Sequence, residues 1–470
     1  MSDEEAGDES DAFERLVERV RERVDPDADE RAALESVADR LVSRAEAAAT
    51  DRCPDADVIL VGSTARGTWV SGDRDIDVFV RFPPTLDRET LERYGLAVGH
   101  ETLPDGREEY ADHPYVVGEV DGFAVDVVPC YRLEHATEIR SAVDRTPFHN
   151  EYLEARLDPE LAGEVRVAKA FFKGIGVYGS DLRTRGFSGY LTELLVCEYG
   201  GFRELCEAAA DWQPPVELDP EGHGATASAG AVGDTILPFD DPLVVIDPTD
   251  PGRNVAAVCD AENVARLQHY ARELLANPRI DLFEAEEPAP LSREQLLAHL
   301  DRRGTTPIAI RFDAPALVDD QLYPQLEKSL TGLSEALDRR DFDVFRAEAF
   351  ADETAVLLVE LDVAERPAVE RHVGPPIHVR PHAEGFFDAY ADDPDVYGPF
   401  IVADRYVVER DREFETARAF LESEALFEVA LGAHVEGALA DGYELLIGDD
   451  LATLCPEFGR ELAAYYAPTP

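Results

Sequence analysis

The sequence predicts a multidomain α+β protein. Two amphipathic helical stretches open the chain, short apolar strands bounded by turn residues follow, and a strand–helix–strand–strand run occupies the part beyond residue 283. At 470 residues the chain is long enough for two to four domains with buried cores.

Residues 11–24 and 29–49 carry apolar side chains at helical spacing and are parted by Asp25-Pro26-Asp27, which ends one helix and starts the next. Strands are expected at 57–61 (DVILV), 75–82 (DIDVFVRF), 115–121 and 122–129, the last two forming a hairpin at Asp121-Gly122. The pattern from 148 to 210 is helical, broken at GIGVYGSDLRTRGFSG (174–189), and the Gly- and Pro-rich stretch 211–234 reads as a mobile loop. A helix is expected at 259–276, and FEAEEPAP (283–290) is the best linker. Beyond it, a strand in TPIAIRFDAP, a helix at 319–339 and strands in DVFRAEAFADET and AVLLVELDVAE suggest an antiparallel sheet backed by helices, like half of a ferredoxin-type or RNA-recognition fold. Helices at 383–391, 411–423 and 450–466 complete the reading, and no fixed-period repeat is present.

The charge balance is extreme: 44 Lys+Arg against 99 Asp+Glu, a net of −55. Such acidity ordinarily argues against a nucleic-acid partner. Lysine, however, occurs only at Lys169, Lys173 and Lys328, while acidic residues are spread along a chain that is still 45% apolar. This composition fits a halophilic cytoplasm, where at about 1 M salt the screening length is roughly 3 Å and a net charge neither unfolds the chain nor repels a polyanion at range. No apolar run approaches a membrane span, and MSDEEAGDES is unlike a secretion signal, so a cytoplasmic protein is expected. The six cysteines show no C-x-x-C spacing and read as buried free thiols.

The chemistry concentrates in LVGSTARGTWVSGDRDIDVFVRF (60–82). A D-x-D pair alone carries nothing where 99 of 470 residues are acidic. Here, though, Asp75 and Asp77 precede an apolar run, and strand geometry turns both carboxylates to one face about 7 Å apart, with Ile76 opposite. Such a pair can grip Mg²⁺, which takes one or two carboxylates plus substrate phosphates. Upstream, Gly62 lets the backbone approach closely and Ser63 offers a hydroxyl at a helix start, a setting suited to a triphosphate. Asp126 lies in FAVDVVP, where an unpaired carboxylate among apolar neighbours is costly to bury.

In this order, the Gly-Ser, the D-x-D and the later strand Asp resemble the polymerase β-type nucleotidyltransferase superfamily. With RTPFHNEYL (145–153), AKAFFKGIGVYGSDLRTRGFSGYLTELL (168–195) and DPTDPGRNVAAVCD (247–260), the chain is similar to the archaeal, class I CCA-adding enzymes. The resemblance implies a polymerase β-like catalytic head (1–140), a mostly helical neck that recognises the base (141–282), and a ferredoxin/RRM-like body with a helical tail that binds tRNA (283–470). It implies addition of C, C and A to tRNA 3′ ends from CTP and ATP. Two Mg²⁺ ions are implied as well, one lowering the pKa of the attacking hydroxyl and one balancing the leaving pyrophosphate. Asp75, Asp77 and Asp126 match the metal triad, although the family often has Glu at the first position. Gly62, Ser63 and Arg66 match the triphosphate motif, His149, Lys169 and Tyr178 match nucleotide contacts, and Arg253 matches an Arg that reads the base.

Read without the motif, a histidine such as His149 is more often a cap or core residue, and Tyr178, between Gly176 and Gly179, is a loop contact to a ligand or, nearly as often, a packed aromatic. Lys169 and Lys173 share a helical face, and the retention of lysine there favours phosphate contact for Lys169. His372, His378 and His382 match no standard zinc spacing and read as loop or RNA-backbone contacts. YGPFIVADRYVVERDRE (397–413) reads as a tRNA surface. The acceptor and TΨC arms of tRNA are the implied partner, and a homodimer is implied by the resemblance alone. Within the same superfamily a poly(A) or oligoadenylate polymerase is the alternative enzyme, and a non-catalytic tRNA-binding protein the alternative from another class.

Overall fold

The computed structural model describes residues 3–470 apart from 111, 225–238 and 286, with side chains from residue 12 onward. Two compact units result, Met1–Glu286 with Pro470 and Glu287–Thr469. Residues 225–234 of the loop expected at 211–234 lie outside the described residues. Of its described part, Val216–Leu218 forms a strand.

In the first unit, helices α1 (Asp3–Val24) and α2 (Ala28–Arg52) meet at the expected break. Asp27 caps α2, accepting from the Asp29 and Glu30 amides at 2.8 Å each, while Glu30 closes a capping box back onto the Asp27 amide. A five-stranded sheet follows: β1 (Asp57–Val61), β2 (Asp75–Phe82), β3 (Arg107–Tyr110), β4 (Pro114–Val120) and β5 (Phe123–Tyr131), in the order β1-β2-β5-β4-β3. Only β2 and β5 run parallel. The β4–β5 hairpin turns at Asp121 (φ 53°) and Gly122 (φ 81°), both left-handed, as a tight two-residue turn between right-twisted strands requires.

Alternation along β2 divides the two faces of this sheet. Ile76, Val78, Val80 and Phe82 are buried in a core shared with α2 and with helix α4 (Arg88–Thr102), while Asp75, Asp77 and Phe79 lie on the opposite face. That second face has only a small apolar patch, Val61, Phe79, Val128 and Cys130. The helical face supplies stability, which leaves the other free for chemistry.

The helical part comprises α5 (Thr146–Glu154), α6 (Pro159–Gly174), α7 (Gly189–Tyr199), α8 (Phe202–Ala210) and the helix Ala261–Ala276, with a small sheet of β6 (Val216–Leu218), β7 (Leu243–Asp247) and β8 (Asp250–Asn254). Helix α1 packs here and not on the sheet: Phe13, Leu16, Val17 and Val20 join Phe171, Phe202 and Leu205 in one core.

The second unit contains the expected strand–helix–strand–strand run. Strands β9 (Thr306–Asp313), β10 (Val344–Ala351), β11 (Thr354–Leu361) and β15 (Glu444–Ile447) form an antiparallel sheet in the order β10-β11-β9-β15, the ferredoxin-type arrangement. One face packs on the helices Asp319–Asp338 and Ala433–Asp441, the other on Arg293–Arg303 and Cys455–Tyr466. The central strand β11 is accordingly buried almost throughout. Between β11 and β15 lies a three-stranded sheet, β12 (Val369–Pro376), β14 (Arg405–Asp411) and β13 (Tyr397–Val402), with the helix Arg380–Tyr390. The helix expected at 411–423 is shortened to Ala417–Leu421, because Arg405–Asp411 pairs with strands on both sides. His372 belongs to β12 and stacks on Phe386 at 5.4 Å, so it is not a loop residue. Four of the six cysteines are buried, and all are free thiols.

Candidate active site

The short helix α3 (Gly62–Arg66) leaves the end of β1 beside the start of β2. Asp77 pairs in register with Asp126 across the parallel β2–β5 ladder, so both carboxylates stand on the lightly covered face with Asp75 two residues away. Gly62 has φ +78°, and a Cβ there would stand 2.2 Å from Asp77 Oδ2. Gly62 is therefore required twice, by its backbone conformation and by the carboxylate that lies against it.

Burial, followed by the charges of Asp126 and Asp75, pushes Asp77 up to about 6. Asp126 is raised as well, by burial and then by Glu109 and Asp75. Like charges crowded onto one face in this way are stabilised by any cation that binds among them. The donor set is all carboxylate oxygen, which suits a hard divalent ion such as Mg²⁺. Among the described residues no three His, Cys, Asp or Glu side chains are arranged to hold a metal by themselves. Mg²⁺ needs no such cage, since one or two carboxylates with substrate phosphate oxygens and water complete its shell.

Next to this face lies a buried ionic cluster. Arg66, at the end of α3, donates from Nε to Glu193 Oε2 at 2.7 Å and from Nη1 to Asn150 Oδ1 at 2.7 Å. Lys169 on α6 donates to Glu193 Oε1 at 2.8 Å and to the carbonyl and hydroxyl oxygens of Thr68 at 3.1 and 3.2 Å. The Thr68 hydroxyl in turn donates to Glu193 Oε1. Burial alone would raise Glu193, but Lys169 and Arg66 outweigh it and hold the carboxyl at about 2. Lys169 is pulled down by burial, against which Glu193 pushes back. One carboxylate thus faces two cations, and Lys169 is the surplus charge. Lys173, one turn along α6, lies 3.2 Å from the Asp73 carboxylate and 5.3 Å from the centre of the Tyr178 ring.

A second cluster gathers around Asp247 at the end of β7, a fully buried acid. His149 Nε2 lies 2.7 Å from Asp247 Oδ2, and Arg253 Nη1 donates to the same oxygen at 3.0 Å. Oδ1 accepts from the Thr249 amide and hydroxyl at 2.9 and 2.8 Å. Burial raises Asp247, but the His149 and Thr249 hydrogen bonds outweigh it and hold it well below the usual carboxylate range. Burial draws His149 down, so the neutral ring donating Nε2–H is favoured and Arg253 supplies the balancing charge. The His149 ring stacks on Tyr190 at 3.8 Å between centroids, 7° from parallel.

The sequence-predicted residues therefore fall into three groups: Asp75, Asp77 and Asp126 on the sheet face, with Gly62 and Ser63 at the start of α3 beside it, Arg66 and Lys169 on Glu193, and His149 and Arg253 on Asp247. Tyr178 lies beside Lys173, within electrostatic reach of Glu193, Asp75 and Arg66, its backbone bridged to Phe187. Sequence reasoning missed Glu193 and Asp247, which organise the second and third groups. Each is an acid at or within an apolar run, TELLVC and LVVID, the same signal that singled out Asp126.

Three family models match in order along the chain: a nucleotidyltransferase domain over residues 42–149, the second domain of tRNA nucleotidyltransferase over 163–284, and the C-terminal domain of the CCA-adding enzyme over 303–448. The CCA-adding enzyme of Haloarcula marismortui is 60% identical to this chain, covering 98% of it and 100% of the relative. That of Halorubrum lacusprofundi is 59% identical with the same coverage, and that of Methanosarcina mazei is 39% identical over 94% of this chain and 95% of the relative.

Proposed function

The chain belongs to the CCA-adding enzyme family, and from that premise we propose that it adds C, C and A to the 3′ end of tRNA from CTP and ATP without a nucleic-acid template. In each step the terminal 3′-hydroxyl oxygen attacks the α-phosphorus, the bond from that phosphorus to the bridging oxygen breaks, and pyrophosphate leaves. The hydroxyl proton is lost to solvent or to an acceptor at the site.

Asp75, Asp77 and Asp126 are the residues that would hold two Mg²⁺ ions, which when bound neutralise charge at the attacking and leaving oxygens. The observation that carries this assignment is the register pairing of Asp77 with Asp126 on the sheet face opposite the core shared with α2 and α4. Gly62 admits the Asp77 carboxylate, and the Ser63 hydroxyl lies next to it in the chain as a donor for the β- and γ-phosphates. Arg66 and Lys169 supply positive charge to the same phosphates, with Tyr178 toward the sugar. His149 and Arg253, fixed on Asp247, face the base: Arg253 keeps donors that Asp247 does not use, and about a third of its side chain is exposed.

The reading assigns 1–140 to catalysis, 141–282 to base selection and 283–470 to the acceptor and TΨC arms of tRNA. It includes a cytoplasmic protein working in molar salt and a homodimer. Among the described residues no helix is long and apolar enough to cross a membrane. The test is incubation in molar KCl with Mg²⁺ and tRNA lacking its 3′ CCA, supplying CTP, ATP or both. Two C residues followed by a single A are expected. Failure to incorporate C sinks the reading, unlimited A addition favours a poly(A)-type polymerase, and inertness with retained tRNA binding favours a binding protein.

A further inference from the structure

Glu193 is assigned no role by the motifs, yet its carboxylate is held by Arg66, Lys169 and the Thr68 hydroxyl together. Its side chain is 1% exposed, and Arg66 and Lys169, 7% and 4% exposed, both end on it. The three residues come from separate elements: Arg66 from α3 beside the metal-binding carboxylates, Lys169 from α6 and Glu193 from α7. An arginine on a five-residue helix has no regular structure of its own to fix its rotamer. The bonds to Glu193 Oε2 and Asn150 Oδ1 do so, and Asn150 is itself held by donating to Glu154 at 2.8 Å. Arg66 thereby spends Nε and Nη1, and among the described residues Nη2 makes no hydrogen bond to protein. Lys169 spends its three protons on Glu193 and Thr68. One carboxylate against two cations leaves a net positive charge in a dry setting, and the Nη2 edge of Arg66 is the part of the cluster still able to donate.

We propose that Glu193 is a positioning residue for nucleotide binding: it locks Arg66 against α6 and α7 so that Nη2 is presented to the triphosphate, with the charge of Lys169 held behind it. The base does not enter this contact, so Glu193 serves CTP and ATP alike. The assignment rests on the reading that Arg66 meets the triphosphate.

The test compares Glu193→Gln, Arg66→Ala and the double variant in the full-length protein in molar KCl. KM and kcat are measured separately for CTP and ATP on tRNA ending at the matching position, and thermal unfolding is followed for each variant. Gln keeps an acceptor at Oε1 but loses the charge. KM is expected to rise about tenfold or more for both nucleotides, the scale of one hydrogen bond to a charged group, with a smaller change in kcat. The double variant should be no worse than Arg66→Ala alone, because Glu193 acts through Arg66. An unchanged KM in Glu193→Gln while Arg66→Ala is impaired, or additive losses in the double variant, overturns the inference and leaves the triphosphate reading standing. Normal nucleotide binding in Arg66→Ala overturns that reading and the inference with it. Lowered thermal stability with unchanged KM shows a merely structural carboxylate and also overturns it. If Glu193→Gln does not fold, Glu193→Asp, which keeps the charge and shortens the reach, carries the same expectation and the same refutations.

Discussion

Asp77 and Glu193 are both acids set in apolar segments of one unit, yet Asp77 is pushed up to about 6 and Glu193 is held at about 2. Burial acts on both in the same upward sense. What separates them is the neighbours, two further carboxylates for Asp77 and two basic side chains for Glu193. The carboxylate face gains from any cation that reaches it, whereas the Glu193 cluster already contains more cation than anion and gains from a phosphate. A nucleoside triphosphate carried with Mg²⁺ offers both at once, which is why the two groups belong side by side.

The sharpest way to break this comparison is to remove a carboxylate from the face. Asp77→Ala or Asp126→Ala is expected to reduce nucleotide incorporation by about a thousandfold or more, the scale of several kcal/mol of metal-assisted stabilisation of the transition state. Binding of tRNA in the same salt should stay nearly intact, since the proposed function sets the lost groups at the triphosphate and not at the duplex. Labelled incorporation alongside a filter-binding assay checks both halves, and retained incorporation would mean the metal assignment is wrong.

A smaller effect tests the sign of the electrostatics without any catalysis. In EDTA at pH 7, Asp77→Asn removes a charge that its surroundings penalise and should raise the melting temperature by a few degrees. Glu193→Gln removes a charge that its surroundings stabilise and should lower it, at a cost of about 1–3 kcal/mol. Shifts of the same sign would erase the contrast. The pH dependence follows: Glu193 has a folded pKa below its ordinary 4.5, so its contribution is fully present above that value and is lost as pH falls toward about 2. The acid-side loss of stability should accordingly be shallower in Glu193→Gln. Molar salt leaves this term largely in place because the group is buried.

Much of this was readable in the chain. Strands 57–61 and 75–82 fall at their expected residues because each is a short apolar run closed by turn chemistry. Helix α4 gave no comparable signal, and Gly95 and Gly99 explain why: a Cβ at either would come within 2.4 Å of Pro129 or Val116 side-chain atoms on the sheet. Glycines that weaken a helix pattern in sequence are here what lets the helix lie close on β4 and β5. The helix expected at 411–423 is shortened for the opposite reason, since Asp411 still belongs to the ladder with β12 and Thr416 bridges to Glu365 before the helix begins at Ala417. At the site, an ordered motif fixed the carboxylates and Arg66. Glu193 and Asp247 carry the signal that singled out Asp126, an acid at an apolar run, but Arg66 and His149, 127 and 98 residues away from them, meet them only in the fold.

Asp247 extends the comparison to selectivity, where the smallest effect is expected. It resembles Glu193 in being a buried acid held in its charged form by donors, but its partners, a histidine and a partly exposed arginine, differ in kind from the buried Arg66 and Lys169. Arg253 is fixed through one nitrogen, so its remaining donors point in a direction set by Asp247, and a fixed fork of donors distinguishes the hydrogen-bonding edges of cytosine and adenine. Arg253→Ala should therefore change the ratio of kcat/KM for CTP to that for ATP by about tenfold, the discrimination one lost polar contact supplies. The summed affinity for triphosphate should move less, because Arg66 and Lys169 are untouched. Competition between the two nucleotides on tRNA ending before the first C, and again on tRNA ending in CC, measures the ratio directly. An equal loss for both nucleotides with selectivity kept would place Arg253 with Arg66 and Lys169 and remove the distinction between the two buried acids.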